Sequence, residues 1–487
     1  MRDVVHEPAV TAGESAIAWS VRRLDARWLL LGLWLCCFVI RGLLYLALMP
    51  PWQAPDEPTS VELTLTMLDR GRLVSPADAS PTIQRAIIAS MERTNFWAYG
   101  IGHEPSSPDA GFNDIWPNRS QLHRPPLYAL LLLPIARLTS DWPLEQQLYL
   151  FHVVSLLLVT ITVSVAGLIG WAFAAELPAL PWVLPALAAL HPQLALIGVS
   201  VSSDNLAGLI GALVFWLLLL VARNGLSWRR GLLLLGLLAL GFWTKRTTLF
   251  LLPTALCGVL PALYVNSVRR WRRSDGQARR RAALLAGGGG LGLIALLTLS
   301  PLGATLLRLC NSYFFDNAAQ WRLFVFTEYL RALPFALGPW LRQNVLFMNR
   351  TFWADVGWHR GVLPDALALT LLALTLLAWL SSIVVAARSW RRMPGWQRQF
   401  IVVCWIGLIL CLSQTLLSYL ITPPAVALAQ GRYLFPVFMP IMFLIAVGLS
   451  GWWRTRWRRT LTMALIVAAV GFDVYTIVGL LLPAFYS

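Results

Sequence analysis

Two adjacent carboxylates, Asp56 and Glu57, stand between Pro55 and Pro58, shortly after a long apolar run ends at Met49. Neighbouring carboxylates repel, which helps keep one of them basic enough to take a proton from a hydroxyl. The same pair can instead open a helix, since acids and prolines are favoured at helix N-termini. Further along, His123-Arg124 precedes Pro125-Pro126, and Lys245-Arg246 and Gln430-Gly431-Arg432-Tyr433 each interrupt apolar sequence. Cationic side chains at such places suit an anion, and the guanidinium fork suits phosphate in particular. For His123-Arg124, anchoring at a membrane surface serves equally well. Asp204, in Ser203-Asp204-Asn205, could orient a sugar, bind a cation or cap the helix that follows. Asp473 lies inside an apolar run, where an acid is either functional or the partner of another helix.

These residues are spaced out along a chain made for lipid. Of 487 residues, 57% are hydrophobic and only 13% are charged, against about 25% charged in a soluble domain. Apolar runs near the ~20 residues needed to cross hydrocarbon occur at 28–49, 146–171, 178–200, 205–222, 230–244, 248–266, 283–302, 366–387, 399–420, 433–450 and 460–482. The expected fold is therefore an all-α polytopic membrane protein with about eleven transmembrane helices. The net charge of +16 comes from short arginine clusters between these runs. That is the pattern of loops held at an anionic leaflet, and it excludes nucleic acid as the reason for the charge. The six cysteines lie in or beside apolar runs without metal-ligand spacing.

The charge asymmetry also sets an orientation. Arg22, Arg23 and Arg27 before the first run place residues 1–27 in the cytoplasm as a tail, with 28–487 forming one transmembrane domain. Residues 50–145 and 303–365 then become long outer loops. The run at 125–138 is short for a span, and a crossing there would put every later basic cluster outside; we expect an interfacial or re-entrant helix instead. Ile83, Ile87, Ile88 and Met91 recur at helical spacing, as in a juxtamembrane interfacial helix. Lys245-Arg246 falls outside, against the positive-inside bias, which an anionic ligand would explain; wrongly assigned spans would explain it too. Lys245, Arg246 and Arg124 should then converge in one outer cavity, with Arg432 at its rim.

These pieces, in this order, resemble the C superfamily of glycosyltransferases, which includes the protein O-mannosyltransferases and the aminoarabinose transferase acting on lipid A. An outer Asp-Glu pair after the first span is one likeness; the stretch from His123 to Leu127 is similar to a His/Lys-Pro-Pro-Leu element of the first outer loop. Within the superfamily the likeness is greatest to the bacterial domain-of-unknown-function family 2142. It rests on Pro55-Asp56-Glu57-Pro58, Ser203-Asp204, Lys245-Arg246-Thr247-Thr248, Thr351-Phe352-Trp353 with Gly357-Trp358 and Leu363-Pro364, and Gln430-Gly431-Arg432-Tyr433 with Pro436. Ser60 stands where that pattern has His, and Ser202-Ser203 where it has Asn-Pro.

The resemblance implies an enzyme of the bacterial inner membrane with its active site facing the periplasm or cell exterior. The donor would be a polyprenyl-phosphate sugar and the acceptor a hydroxyl on a glycan, lipid or protein. Asp56 would be general base and Glu57 would orient it or the sugar. His123, Arg124, Lys245, Arg246 and Arg432 would bind the donor phosphate. Asp204, Trp353, Trp358, Gln430 and Tyr433 would bind sugar or acceptor. No cofactor follows, and a divalent metal remains open. The rival readings are a transporter or flippase of lipid-linked saccharides, which would place charges near the bilayer midplane, and a non-catalytic cell-envelope assembly subunit.

Overall fold

The computed structural model describes residues 12–99, 104–105, 107, 109–115, 120–273, 334–335, 337–421 and 429–486. The first apolar run forms α1, Ala12–Leu48, which begins inside the stretch expected as a polar tail. It stops where Met49 precedes Pro50, because a residue before proline is pushed out of the helical region.

The chain then builds an ordered layer outside the bundle. Helix α2, Glu57–Arg70, has proline in its first turn and closes on Gly71, whose left-handed backbone (φ 61°) lets its N–H reach the Met67 carbonyl. Helix α3, Pro81–Arg93, is capped by Ser80, whose hydroxyl accepts from Ile83 N–H. Its apolar stripe is a correction to the interfacial expectation. Ile87, Ile88 and Met91 are buried with Trp52, Val61, Phe96 and Phe112 in a small core of the layer itself. A buried carboxylate pins that layer. Glu62 accepts from Gln84 Nε2 at 2.7 Å and Ser120 Oγ at 2.9 Å, and burial raises its pKa. Helix α4, Leu127–Leu138, has 12 residues. At about 1.5 Å per residue it reaches little over half of a ~30 Å hydrocarbon core, and it packs on α2, α5 and α9.

The bundle follows as α5 (Leu144–Ala172), the short α6 (Leu180–Ala189) and α7 (Pro192–Gly198), α8 (Ser203–Asn224), α9 (Trp228–Thr244) and α10 (Leu251–Arg273). After residues 274–333, it resumes with α11 (Leu346–Trp353), α12 (Asp365–Ser389), α13 (Gly395–Ile421), α14 (Phe438–Ser450) and α15 (Arg458–Tyr475). Among the described residues, eight helical segments are long and apolar enough to cross a membrane, or nine if α6 and α7, bent by 51°, count as one broken span. Helix α9, with 17 residues, and the run at 283–302, which lies outside the described residues, separate this count from the expected eleven.

Burial sorts centre from edge. The segment Gly431–Ser450 is 89% buried, whereas the last span is 22% buried and turns Met463, Val467 and Val474 outward. Central packing depends on small residues: a Cβ on Gly211 of α8 would run into the Pro436 carbonyl. A two-stranded antiparallel hairpin, β1 (Asp355–Val356) with β2 (Gly361–Val362), lies in the expected outer loop 303–365 and pairs Asp355 with Val362. The two ends of the bundle differ chemically. At the end where α1 begins, arginines stack on tryptophans between elements: Arg27 over Trp171, Arg223 over Trp396 and Arg388 over Trp452. The acids and bases singled out in the sequence gather at the other end.

Candidate functional site

The turn after α1 is held in a conformation that costs energy. Trp52 (φ 67°) and Asp56 (φ 70°) both adopt left-handed backbone, which non-glycine residues rarely do. Asp56 occupies the N-cap position of α2, yet its side chain makes no capping hydrogen bond. Its backbone carbonyl instead accepts from Thr59 Oγ1 and Ser60 N–H, each at 3.0 Å. The carboxylate is thereby left for other partners.

Those partners come from distant elements. Arg432 Nη2 lies 2.9 Å from Asp56 Oδ2, and Arg124 Nη2 lies 3.6 Å from Asp56 Oδ1. Asp204, the second residue of α8, is paired with Lys245 Nζ at 2.6 Å, and Arg432 Nε approaches its other oxygen at 3.9 Å. Ser202 is the true cap of α8: its hydroxyl accepts from Asp204 N–H and donates to Asp204 Oδ2. Tyr433 completes the cluster, with Lys245 Nζ 5.6 Å from the centre of its ring. Side-chain exposure rises from 0% at Asp204 through 8% at Arg432 and 18% at Asp56 to 31% at Arg124. The cluster therefore opens at Arg124, and Arg432, expected at a rim, is buried in its middle.

Why Arg432 can sit there is local. Gly431 donates its N–H to Thr351 Oγ1 at 2.7 Å, and any Cβ at Gly431 would collide with the Phe352 backbone. The Thr351-Phe352-Trp353 and Gln430-Gly431-Arg432-Tyr433 motifs are thus two halves of one contact. The electrostatics follow from the pairing. The cations held beside Asp56, Arg432 foremost and then Arg124 and Lys245, outweigh its burial and hold its carboxyl well below the usual range. Burial lowers the Lys245 pKa, and only the Asp204 and Asp56 carboxylates oppose that fall.

Glu57 points elsewhere. It is fully buried; its Oε1 sits 2.6 Å from His152 Nε2 and accepts from Val201 N–H at 3.0 Å, while Oε2 accepts from Ala54 N–H. The expected repulsion between two carboxylates sharing one space is therefore not how this pair is arranged. The other sequence candidates divide. Trp358 donates its indole N–H to the Trp52 carbonyl at 3.1 Å, tying the hairpin to the strained turn. Trp353 stacks on His191, centroids 5.1 Å apart, in an aromatic group at the α6–α7 break. Arg246 opens a short 3₁₀ turn and its carbonyl accepts from Gln414 Nε2 at 2.9 Å. His123 is exposed, one residue before Arg124.

Sequence reading missed one pair beside the cluster. Asp355 Oδ2 lies 2.8 Å from His359 Nδ1, and Gln430 Nε2 donates towards His359 Nε2 at 3.4 Å. His359 is also left-handed, at φ 65°. The available signal was an Asp and a His four residues apart, Asp355 between Trp353 and Trp358 and His359 directly after Trp358. Among the described residues, the cluster offers a divalent metal no ready set of ligands. Both cluster carboxylates already face cations, and among the described residues no group of three or more His, Cys, Asp or Glu could hold an ion. Neither a protein-family model nor a curated protein matches the chain.

Proposed function

We propose that the chain is a membrane glycosyltransferase that moves a sugar from a polyprenyl phosphate to an acceptor hydroxyl. One observation carries this reading: three cations, Arg124, Lys245 and Arg432, gather around Asp56 at the end of an apolar bundle, where a lipid phosphate would lie. The orientation from the charge rule puts that end outside a bacterial plasma membrane, with eleven spans once the broken pair, α9 and 283–302 are counted.

In this reading the acceptor oxygen attacks the anomeric carbon from the face opposite the phosphate, which inverts configuration. Negative charge grows on the departing phosphate, and the three cations stabilise it in place. Asp56 takes the hydroxyl proton. Glu57, locked to His152 and Val201, holds the strained turn that presents Asp56. Gln430, Tyr433 and Trp358 lie where the sugar or the acceptor would be held. The acceptor is a glycan, a lipid or a protein.

The test is purified protein in lipid nanodiscs with a panel of undecaprenyl-phosphate sugars, followed by release of undecaprenyl phosphate. Asp56→Asn should fold and lose roughly 10²–10⁴-fold in turnover, the usual worth of a general base. Full transfer by this variant would exclude Asp56 as base, and loss of lipid translocation in its place would favour a flippase.

A further inference from the structure

Asp56 is placed as a base but held as an ion-pair partner. Its two oxygens face Arg432 at 2.9 Å and Arg124 at 3.6 Å. A carboxylate between two guanidiniums gives up little basicity to an incoming hydroxyl, because protonation would leave both cations uncompensated. The same two guanidiniums are what a lipid phosphate would seek. We propose that the Asp56 carboxylate and the lipid phosphate are alternative occupants of one anion site, so that donor arrival frees Asp56 to act and its return expels the product. This rests on the reading that the cluster receives a polyprenyl phosphate.

Three features support the exchange. Arg432 Nε is buried and has no hydrogen-bond partner, with Asp204 Oδ2 standing off at 3.9 Å. A buried donor left unmet is costly, and the two unesterified oxygens of a phosphodiester could meet it while also taking Nη2. Arg124, the most exposed member, is the side chain a ligand meets first. The backbone of Asp56 is strained, so the carboxylate sits on a turn whose position depends on its neighbours.

The charges close. Three cations and two carboxylates leave the free cluster one positive charge, which a phosphodiester donor neutralises. In transfer the acceptor oxygen bonds to the anomeric carbon. The carbon–phosphate oxygen bond breaks with its electron pair on the phosphate, and the hydroxyl proton passes to Asp56. The product is a phosphomonoester, more negative than the donor by the charge that Asp56 has just lost. When Asp56 returns its proton to water, two anions compete for Arg432 and Arg124. The tethered carboxylate retakes them and the phosphate leaves.

The experiment measures undecaprenyl phosphate binding to the full chain in zwitterionic nanodiscs. Asp56→Asn should bind it roughly 5–150-fold tighter than the wild type, the common span for two linked equilibria, while Arg432→Gln should lose it. Wild type that binds, with Asp56→Asn binding equally or more weakly, overturns the exchange and leaves the phosphate reading standing. No binding by folded wild type or folded Asp56→Asn overturns both. A second measurement needs no variant. A carbodiimide modifies protonated carboxyls, and its labelling of Asp56 in the wild type, located by peptide mass spectrometry, should rise when undecaprenyl phosphate is added. Unchanged or reduced labelling overturns the exchange.

Discussion

Two arginine–aspartate pairs among the described residues, Arg41–Asp473 and Arg432–Asp56, are built in opposite ways. In one, Arg41 of α1 meets Asp473 of α15 through Nε at 2.6 Å and Nη2 at 2.7 Å. Tyr45 donates to the same carboxylate at 2.7 Å. Two further guanidinium N–H groups go to the carbonyls of Ala189 and His191, at the break between α6 and α7. Exposure of the two side chains is 8% and 7%. In the other pair, Arg432 keeps an unmet donor, Asp56 sits on strained backbone, and two more cations crowd the same space. The first pair is closed on itself and serves the fold. The second is short of negative charge and opens at Arg124, which is the condition the proposed anion site requires. Burial of a charged pair alone does not separate these roles; completeness of its hydrogen bonding does.

The sharpest way to break this contrast is to cut the closed pair. Arg41→Ala should cost about 3–5 kcal/mol, because it leaves a buried carboxylate alone, read as a fall in thermal stability in detergent. Arg41→Met with Asp473→Leu should recover most of that loss, since apolar replacement of a whole buried pair is often neutral. A double variant as unstable as the single one would mean that the carbonyls at the break, and not the ion pair, carry the stability.

A smaller effect separates the pairs by pH. Asp56 has a folded-state pKa below its unfolded value. Its stabilising contribution is therefore fully present above the unfolded carboxyl value of about 3.9 and is lost as pH falls below that value towards the folded one. Comparing thermal stability of wild type and Asp56→Asn from pH 6 to pH 3 should show the wild type losing its advantage towards pH 3. A difference constant over that range would contradict the ion pairing. The smallest effect expected is at the hairpin. Trp358→Phe removes one neutral hydrogen bond to the Trp52 carbonyl and should cost about 1 kcal/mol. Its loss of transfer should exceed that of a control variant of equal stability elsewhere, because it loosens the turn that carries Asp56.

Much of this was legible before any coordinates. Apolar run lengths located the eight long apolar segments and the broken pair, and helical spacing of Ile83, Ile87, Ile88 and Met91 gave α3 its place. Charge asymmetry brought Asp56, Arg124, Asp204, Lys245 and Arg432 to one end. Partner choice was not legible. Glu57 and His152 are 95 residues apart, and nothing local distinguishes a carboxylate facing an arginine from one facing a buried histidine. Trp353 and Trp358 look equivalent in the motif. The hairpin turns Trp358 towards the site, while the end of α11 leaves Trp353 on His191. The stripe of α3 was readable as a stripe, but a lipid surface and a small protein core attract it equally.

The closed pair also has a schedule. Arg41 and Asp473 are 432 residues apart. At about 5–20 residues per second, the ribosome delivers Asp473 roughly 20–90 seconds after Arg41. For that interval the first helix carries an arginine whose acid does not yet exist, in a medium where an unpaired charge is expensive. The nascent chain must keep that helix near water or near the translocation machinery until its last span arrives. A chain cut short before Asp473 would keep the mark of being unfinished, open to the cell's surveillance of membrane proteins.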